Sequence, residues 1–145
     1  MKEHKHLGVY ALIIKDDKIL LIKKNGGPYH NQLDLPGGTI EFGETPEQTL
    51  KRELLEEVGI TVTDYKLYDA NSVNFKWTYN NEKLNWHHIG IFYKVLNYTG
   101  TIKEEIKIDN INDDSKGAKF YNIKSLNKKE LSKITIIELE KLGLI

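Results

Sequence analysis

The sequence predicts an α/β protein in which helices cover the faces of a mixed β-sheet. Apolar, β-branched runs lie on both sides of one well-delimited helix, and a second amphipathic segment closes the chain. No repeat, low-complexity tract or Pro/Gly/Ser-rich linker divides it, so 1–145 reads as a single domain. A chain of 145 residues can bury roughly 70% of its unfolded surface and needs no disulfide or structural metal to hold a core.

Taken in order, Leu7 to Ile14 and Lys18 to Ile22 are apolar runs separated by Lys15-Asp16-Asp17, which predicts a hairpin. Asn25-Gly26-Gly27-Pro28 is dense in turn formers, and Leu33 to Gly38 reads as a short extended piece ending in backbone that tolerates unusual dihedrals. The best-delimited helix follows: Thr45 caps it, Pro46 suits its first position, and Gln48 completes a T-x-x-Q capping box. Leu50, Leu54 and Val58 form its apolar stripe, and Gly59 stands where a left-handed residue closes a helix. Thr61 to Tyr68 and Asn71 to Tyr79 read as two strands, and His87 to Leu96 as a third in which Ile89, Ile91, Tyr93 and Val95 alternate with the rest. Lys119 to Ile123 predicts another strand. Lys128 to Leu144 predicts an amphipathic helix with a break near Ser132.

Composition narrows the function. With 21 Lys+Arg against 21 Asp+Glu, the balance argues against a broad nucleic-acid-binding face. The absence of cysteine excludes disulfides, zinc-thiolate sites and cysteine nucleophiles. LGVYALII, near the amino terminus, is interrupted at once by KDD and reads as a core strand rather than a secretion signal. No segment approaches the roughly 20 apolar residues that span a bilayer. A cytoplasmic protein without a membrane partner is the expectation.

One cluster asks for an explanation. Glu53, Glu56 and Glu57 lie three and four residues apart, on neighbouring positions of one helix surface. Like charges at that spacing destabilise a helix by about 0.2–0.5 kcal/mol per pair, and the dipole disfavours anions in the last turn. Arg52 and Lys51 relieve part of this. A solvated charged face is the ordinary account of such clusters. A hard divalent cation is the functional one, because Mg²⁺ is held by a few carboxylates with waters and substrate phosphates.

From Gly38 to Ile60 the sequence resembles the Nudix box, G-x5-E-x7-R-E-U-x-E-E-x-G-U with U a bulky aliphatic residue. Gly38, Glu44, Arg52, Glu53, Leu54, Glu56, Glu57, Gly59 and Ile60 fill every defined position. The resemblance implies a Nudix-type α/β/α sandwich that hydrolyses a nucleoside diphosphate linked to another group, using Mg²⁺ or Mn²⁺. It further implies metal ligands at Glu53, Glu56, Glu57 and the Gly37 carbonyl, with Arg52 orienting a glutamate and Gly38 and Glu44 supporting the loop. Glu53 or Glu56 would be the base that takes the proton of the attacking water. Acids outside the box, Glu104, Glu105, Asp113 and Asp114, are further candidates that read more simply as solvated loop residues.

The substrate is less legible. Phe75, Trp77 and Tyr79 fall on one strand face and, with Trp86, would stack on a base or pack against a helix or a second copy of the chain, which leaves a homodimer open. His87 and His88 point to opposite faces and cannot readily share an ion. Lys23 or Lys24 is placed to meet a phosphate, although a surface role is the simpler account. No proline follows Pro46, so the downstream proline of many ADP-ribose-cleaving Nudix members is missing. The expectation is a small nucleotide, with nucleoside triphosphates of the housecleaning type favoured. Nucleic acid enters only as an RNA 5′ end. The alternative is a Nudix-fold sensor that binds a nucleotide without turnover.

Overall fold

In the computed structural model, residues 1–104 and 115–145 are described. Glu105, Asp113 and Asp114 lie outside them. Strands β1 (Lys2–Leu12), β2 (Ile14–Lys15) and β3 (Lys18–Lys24) open the chain, with the expected turn at Asp16, φ 57°. β4 (Leu33–Asp34) and β5 (Gly37–Thr39) lead into helix α1 (Pro46–Glu53), which continues as a π turn over Leu54–Val58. β6 (Ile60–Tyr79), β7 (Glu82–Gly100) and β8 (Ser115–Asn122) follow, and helix α2 (Lys133–Lys141) closes the fold.

One sheet runs β5-β1-β7-β6 and is mixed, because β1 is parallel to β7 while the other pairs are antiparallel. The second is built on β3, which pairs with β2, β4 and β8, all antiparallel. Successive side chains of a strand point to opposite faces, and β1 shows the result. Val9 and Ala11 pack with Leu50, Leu54 and Val58 on the α1 side, whereas Tyr10 and Leu12 pack with Leu131, Ile134 and Leu139 on the α2 side. A sheet layer between two helices is the α/β/α arrangement expected.

β1 begins at Lys2 rather than Leu7 and β8 at Ser115 rather than Lys119, and three further boundaries differ from the sequence reading. Thr61 to Tyr68 and Asn71 to Tyr79 are one strand, because the register shift between Leu67 and Asp69 absorbs an extra residue as a bulge and pairing with β7 resumes at Asp69, opposite Phe92. β7 reaches well past His87 and Leu96, since Asn80 and Asn81, both left-handed at φ 50° and 62°, turn the chain tightly between Tyr79 and Glu82. Lys128–Glu130 is a separate 3₁₀ turn. The break falls at Ser132, whose hydroxyl accepts from the Thr135 N–H at 3.3 Å and caps α2.

Candidate active site

The loop ahead of α1 is held by the sheet. Gly37, Gly38 and Thr39 pair with Tyr10, Val9 and Gly8 of β1, and the Ala11 N–H donates to the Pro36 carbonyl at 2.8 Å. Gly37 sits at φ 143°, and a Cβ there would strike the Val9 carbonyl. At Gly38 a Cβ would come within 2.5 Å of the Glu53 carboxyl carbon. The two glycines present bare backbone because side chains from α1 and β1 take the space.

The helix brings its carboxylates to that backbone. Its capping box forms as expected: Thr45 Oγ1 accepts from the Gln48 N–H at 3.2 Å, and Gln48 Oε1 accepts from the Thr45 N–H at 2.9 Å. The π turn then ends at Gly59, φ 84°, whose N–H donates to the carbonyls of Leu54 and Leu55 at 3.0 and 3.1 Å. A π turn takes in one more residue than an α turn, and such turns recur at functional sites. Here Glu57 faces inward. It is 3% exposed, and its Oε1 accepts from the Gly37 N–H at 2.9 Å. Reading the segment as a plain helix placed all three glutamates on one surface; the structure keeps Glu53 and Glu56 there and turns Glu57 into the glycine loop.

Arg52 organises the rest. Its Nε and Nη2 donate to the two oxygens of Glu44 at 2.8 and 2.9 Å, a bidentate pair, and Nη2 also donates to the Thr39 carbonyl at 3.0 Å. Nη1 reaches Glu53 Oε1 at 2.8 Å and, more loosely, Glu56 Oε2 at 3.4 Å. Glu44 Oε1 is fixed further by the Glu41 N–H and the Thr49 hydroxyl, each at 2.9 Å. The Arg52 hydrogen bond holds the Glu44 carboxyl down at about 2, and Glu44 in turn pushes the guanidinium well above its ordinary value. Arg52 thus acts as a permanently charged bracket between the loop and the helix.

The donor set is entirely oxygen: carboxylates of Glu53, Glu56 and Glu57 beside the Gly37 backbone. That chemistry fits a hard divalent cation. Among the described residues no three His, Asp or Glu side chains close into a complete metal cage. A cage is not needed, since Mg²⁺ is usually bound through one or two carboxylates with waters and substrate phosphates. Glu104 is exposed on the stretch after β7, where no ion pair or hydrogen bond of its side chain places it with the box.

A cavity of about 250 Å³ adjoins the box at Gly38 and Thr39 on the α2 side of the sheet. Lys24, Tyr29, Asp34, Trp86 and His88 line it. Of the residues weighed from the sequence, Lys24, Trp86 and His88 reach this wall. Phe75 stands behind it against Tyr29, with ring centroids 5.6 Å apart, and Trp77 and Tyr79 pair farther out along the hairpin at 5.2 Å. Each ring nitrogen of His88 meets a tyrosine, Nε2 at Tyr10 Oη (2.6 Å) and Nδ1 at Tyr29 Oη (2.8 Å), and burial pushes the imidazole down to about 3, so it is neutral. Sequence reasoning missed Tyr10, Tyr29 and Asp34. The available signal was the lone acid between Leu33 and Leu35, an ionisable group inside a strand that is otherwise apolar.

The NUDIX domain family profile matches residues 4–138. An ADP-ribose pyrophosphatase of Methanocaldococcus jannaschii is 33% identical over 125 residues, 86% of this chain and 66% of its own length. An 8-oxo-dGTP diphosphatase of Escherichia coli is 41% identical over 67 residues, 45% of this chain and 52% of its own. The chain therefore spans less than two thirds of these curated relatives. Among solved structures, a MutT NUDIX hydrolase from Burkholderia pseudomallei superposes with a TM-score of 0.73 at 26% identity, covering 96% of this chain and 98% of that one. The NUDIX domain of Shewanella oneidensis NrtR, complexed with ADP ribose, shares the fold with a TM-score of 0.66 at 20% identity, over 98% of this chain and 90% of that one. A profile match over nearly the whole chain, on a sandwich whose box residues bracket one loop, shows that this chain belongs to the NUDIX domain family.

Proposed function

We propose that the protein is a divalent-metal-dependent pyrophosphohydrolase that cleaves a nucleoside triphosphate of the housecleaning type to the monophosphate and pyrophosphate. The observation that carries this reading is the convergence on Gly37 and Gly38: Glu57 hydrogen-bonded to one glycine, Glu53 lying over the other, and both tied to Glu56 and Glu44 through the loop and Arg52.

Glu53, Glu56, Glu57 and the Gly37 carbonyl would hold Mg²⁺ or Mn²⁺. When bound, the ion would neutralise phosphate oxygens and lower the pKa of an attacking water. The remaining work falls to the chain. Arg52, braced by Glu44, fixes the direction of the Glu53 carboxylate. Glu56 is the better proton acceptor of the two candidate bases, because its side chain is 58% exposed and only loosely held by Arg52 at 3.4 Å, whereas Glu53 Oε1 accepts a short charged bond at 2.8 Å. Lys24 lies on the wall of the adjoining cavity, where a cation favours a phosphate. The cavity is small against the roughly 300–1,000 Å³ of drug-sized sites, which suits one part of a nucleotide, its base. A nucleotide is the proposed partner and the cytoplasm the proposed compartment. The sensor reading requires a disabled box, and none of the box glutamates is missing.

The relatives differ in the substrates their names carry, so the test is a panel of dNTPs, oxidised dGTP, ADP-ribose and diadenosine polyphosphates with Mg²⁺, scored for pyrophosphate and phosphate release. The expected result is pyrophosphate from a triphosphate, abolished by EDTA and reduced about 100-fold or more by Glu56→Gln. Cleavage of ADP-ribose alone, or nucleotide binding without release, would overturn the proposal.

A further inference from the structure

Among the described residues, Asp34 is the only acid on the cavity wall. It is 2% exposed, at the end of β4. The Leu35 N–H (2.9 Å), the Ser132 hydroxyl (2.7 Å) and the Thr135 hydroxyl (2.9 Å) all engage its Oδ1. The residues that cap α2 therefore hold one oxygen of this carboxyl, and the hydrogen bonds it makes among the described residues leave Oδ2 for whatever enters the cavity. The other walls add donors, including Lys24 and the Trp86 indole N–H, the latter buried with no hydrogen-bond partner among the described residues. Both nitrogens of His88 are occupied by tyrosine hydroxyls, so that side presents ring faces and edges.

We propose that Asp34 is the base-reading residue of the site, its Oδ2 accepting hydrogen bonds from the amide and amino N–H groups on the Watson–Crick edge of a guanine-type purine. This rests on the reading of the site as a nucleoside triphosphate hydrolase. An enzyme that extracts a base from solvent reads it by stacking and by hydrogen bonds to that edge. Guanine offers donors there, N1–H and the exocyclic amine. Adenine offers a single donor there, the 6-amino group, beside an acceptor at N1 that would face an oxygen lone pair. A stacked base also removes the last water from the carboxyl. Burial holds this group above its ordinary value despite Lys24 and the three donors, and donors arriving at Oδ2 favour its ionised form. Adenine's edge supplies one donor where guanine's supplies two.

The experiment compares kcat/KM of the wild-type protein for dGTP, dITP and dATP with Mg²⁺. The expected order is dGTP, then dITP, which keeps N1–H but lacks the amine, then dATP. The full span is about 10- to 100-fold, the discrimination that a charged, buried hydrogen bond sustains, and it is carried mainly by KM. In Asp34→Asn the amide oxygen takes over the three donors and the NH₂ group faces the cavity, so the ratio should fall or invert toward dATP while kcat for the better substrate changes less than KM. Equal kcat/KM for dGTP and dATP in the wild-type protein, or a preference for dATP, overturns the inference and leaves the proposed hydrolysis standing. If no triphosphate is turned over, the hydrolase reading fails, and the shift in melting temperature given by dGMP against dAMP then decides the inference: a larger shift with dGMP upholds it, and an equal or smaller one overturns it. If Asp34→Asn does not fold, the wild-type series decides alone.

Discussion

At Gly38 the chain lacks a side chain because Glu53 stands where one would be. A Cβ there would lie 2.5 Å from the Glu53 carboxyl carbon and 2.6 and 2.7 Å from its oxygens. In Gly38→Ala the carboxylate is the part that yields, being the end of a flexible side chain, so the fold should lose little, within about 1–3 kcal/mol. The active geometry loses more, since a misplacement near 1 Å costs on the order of 100-fold in rate. The expected outcome is a melting temperature within a few degrees of wild type and turnover down about 100-fold, measured by differential scanning calorimetry and pyrophosphate release on the same sample. Equal activity would separate Glu53 from the chemistry. Much of this was legible beforehand, because charge at unfavourable spacing next to paired glycines is a local pattern. The inward turn of Glu57 was not, since it depends on a π turn that no single residue announces.

Among the elements, α2 carries a titratable contact unrelated to the box. Glu138 is fully buried against β6, where Asn71 Nδ2 donates to its Oε1 at 3.3 Å and the Asp69 carboxyl lies beside it, itself paired with Lys141 at 2.9 Å. Burial first, and Asp69 second, push Glu138 up to about 7 from its ordinary 4.5. The folded state therefore binds more protons than the unfolded state between those two values. Stability from this group is full below pH 4.5 and is lost as pH rises through 7. His88 acts in the opposite sense, because its value is lowered to about 3 and the unfolded state binds more protons above that point. The two are separated by a variant. Between pH 5 and pH 8 the melting temperature of wild type should fall relative to that of Glu138→Gln by on the order of 5 °C; parallel curves would show that Glu138 does not titrate there. The elements themselves were readable where pattern and caps agree, as at Thr45, Gln48 and Gly59. The long β6 was divided at Asp69 and Ala70, yet both pair with β7, and only the bulge just before Asp69 interrupts the register there.

For the whole molecule, the sheet places the box loop on β5 at one edge and leaves α1 and α2 on opposite faces, so carboxylates arrive from one side and the cavity opens on the other. That division of labour was outside the reach of sequence pattern, because the cavity joins Tyr10, Tyr29, Asp34 and His88 from separate strands and loops, and Asp34 is secured by Ser132 and Thr135, 98 and 101 positions on. The central claim is that the Gly37–Gly38 backbone and the helix glutamates form one divalent-cation site. The most direct measurement is Mn²⁺ affinity by isothermal titration on wild type and Glu57→Gln, alongside their melting temperatures. Glutamine keeps an oxygen to accept the Gly37 N–H, so equal melting temperatures with about 10- to 100-fold weaker Mn²⁺ binding are predicted. Unchanged Mn²⁺ affinity in the variant would contradict the claim.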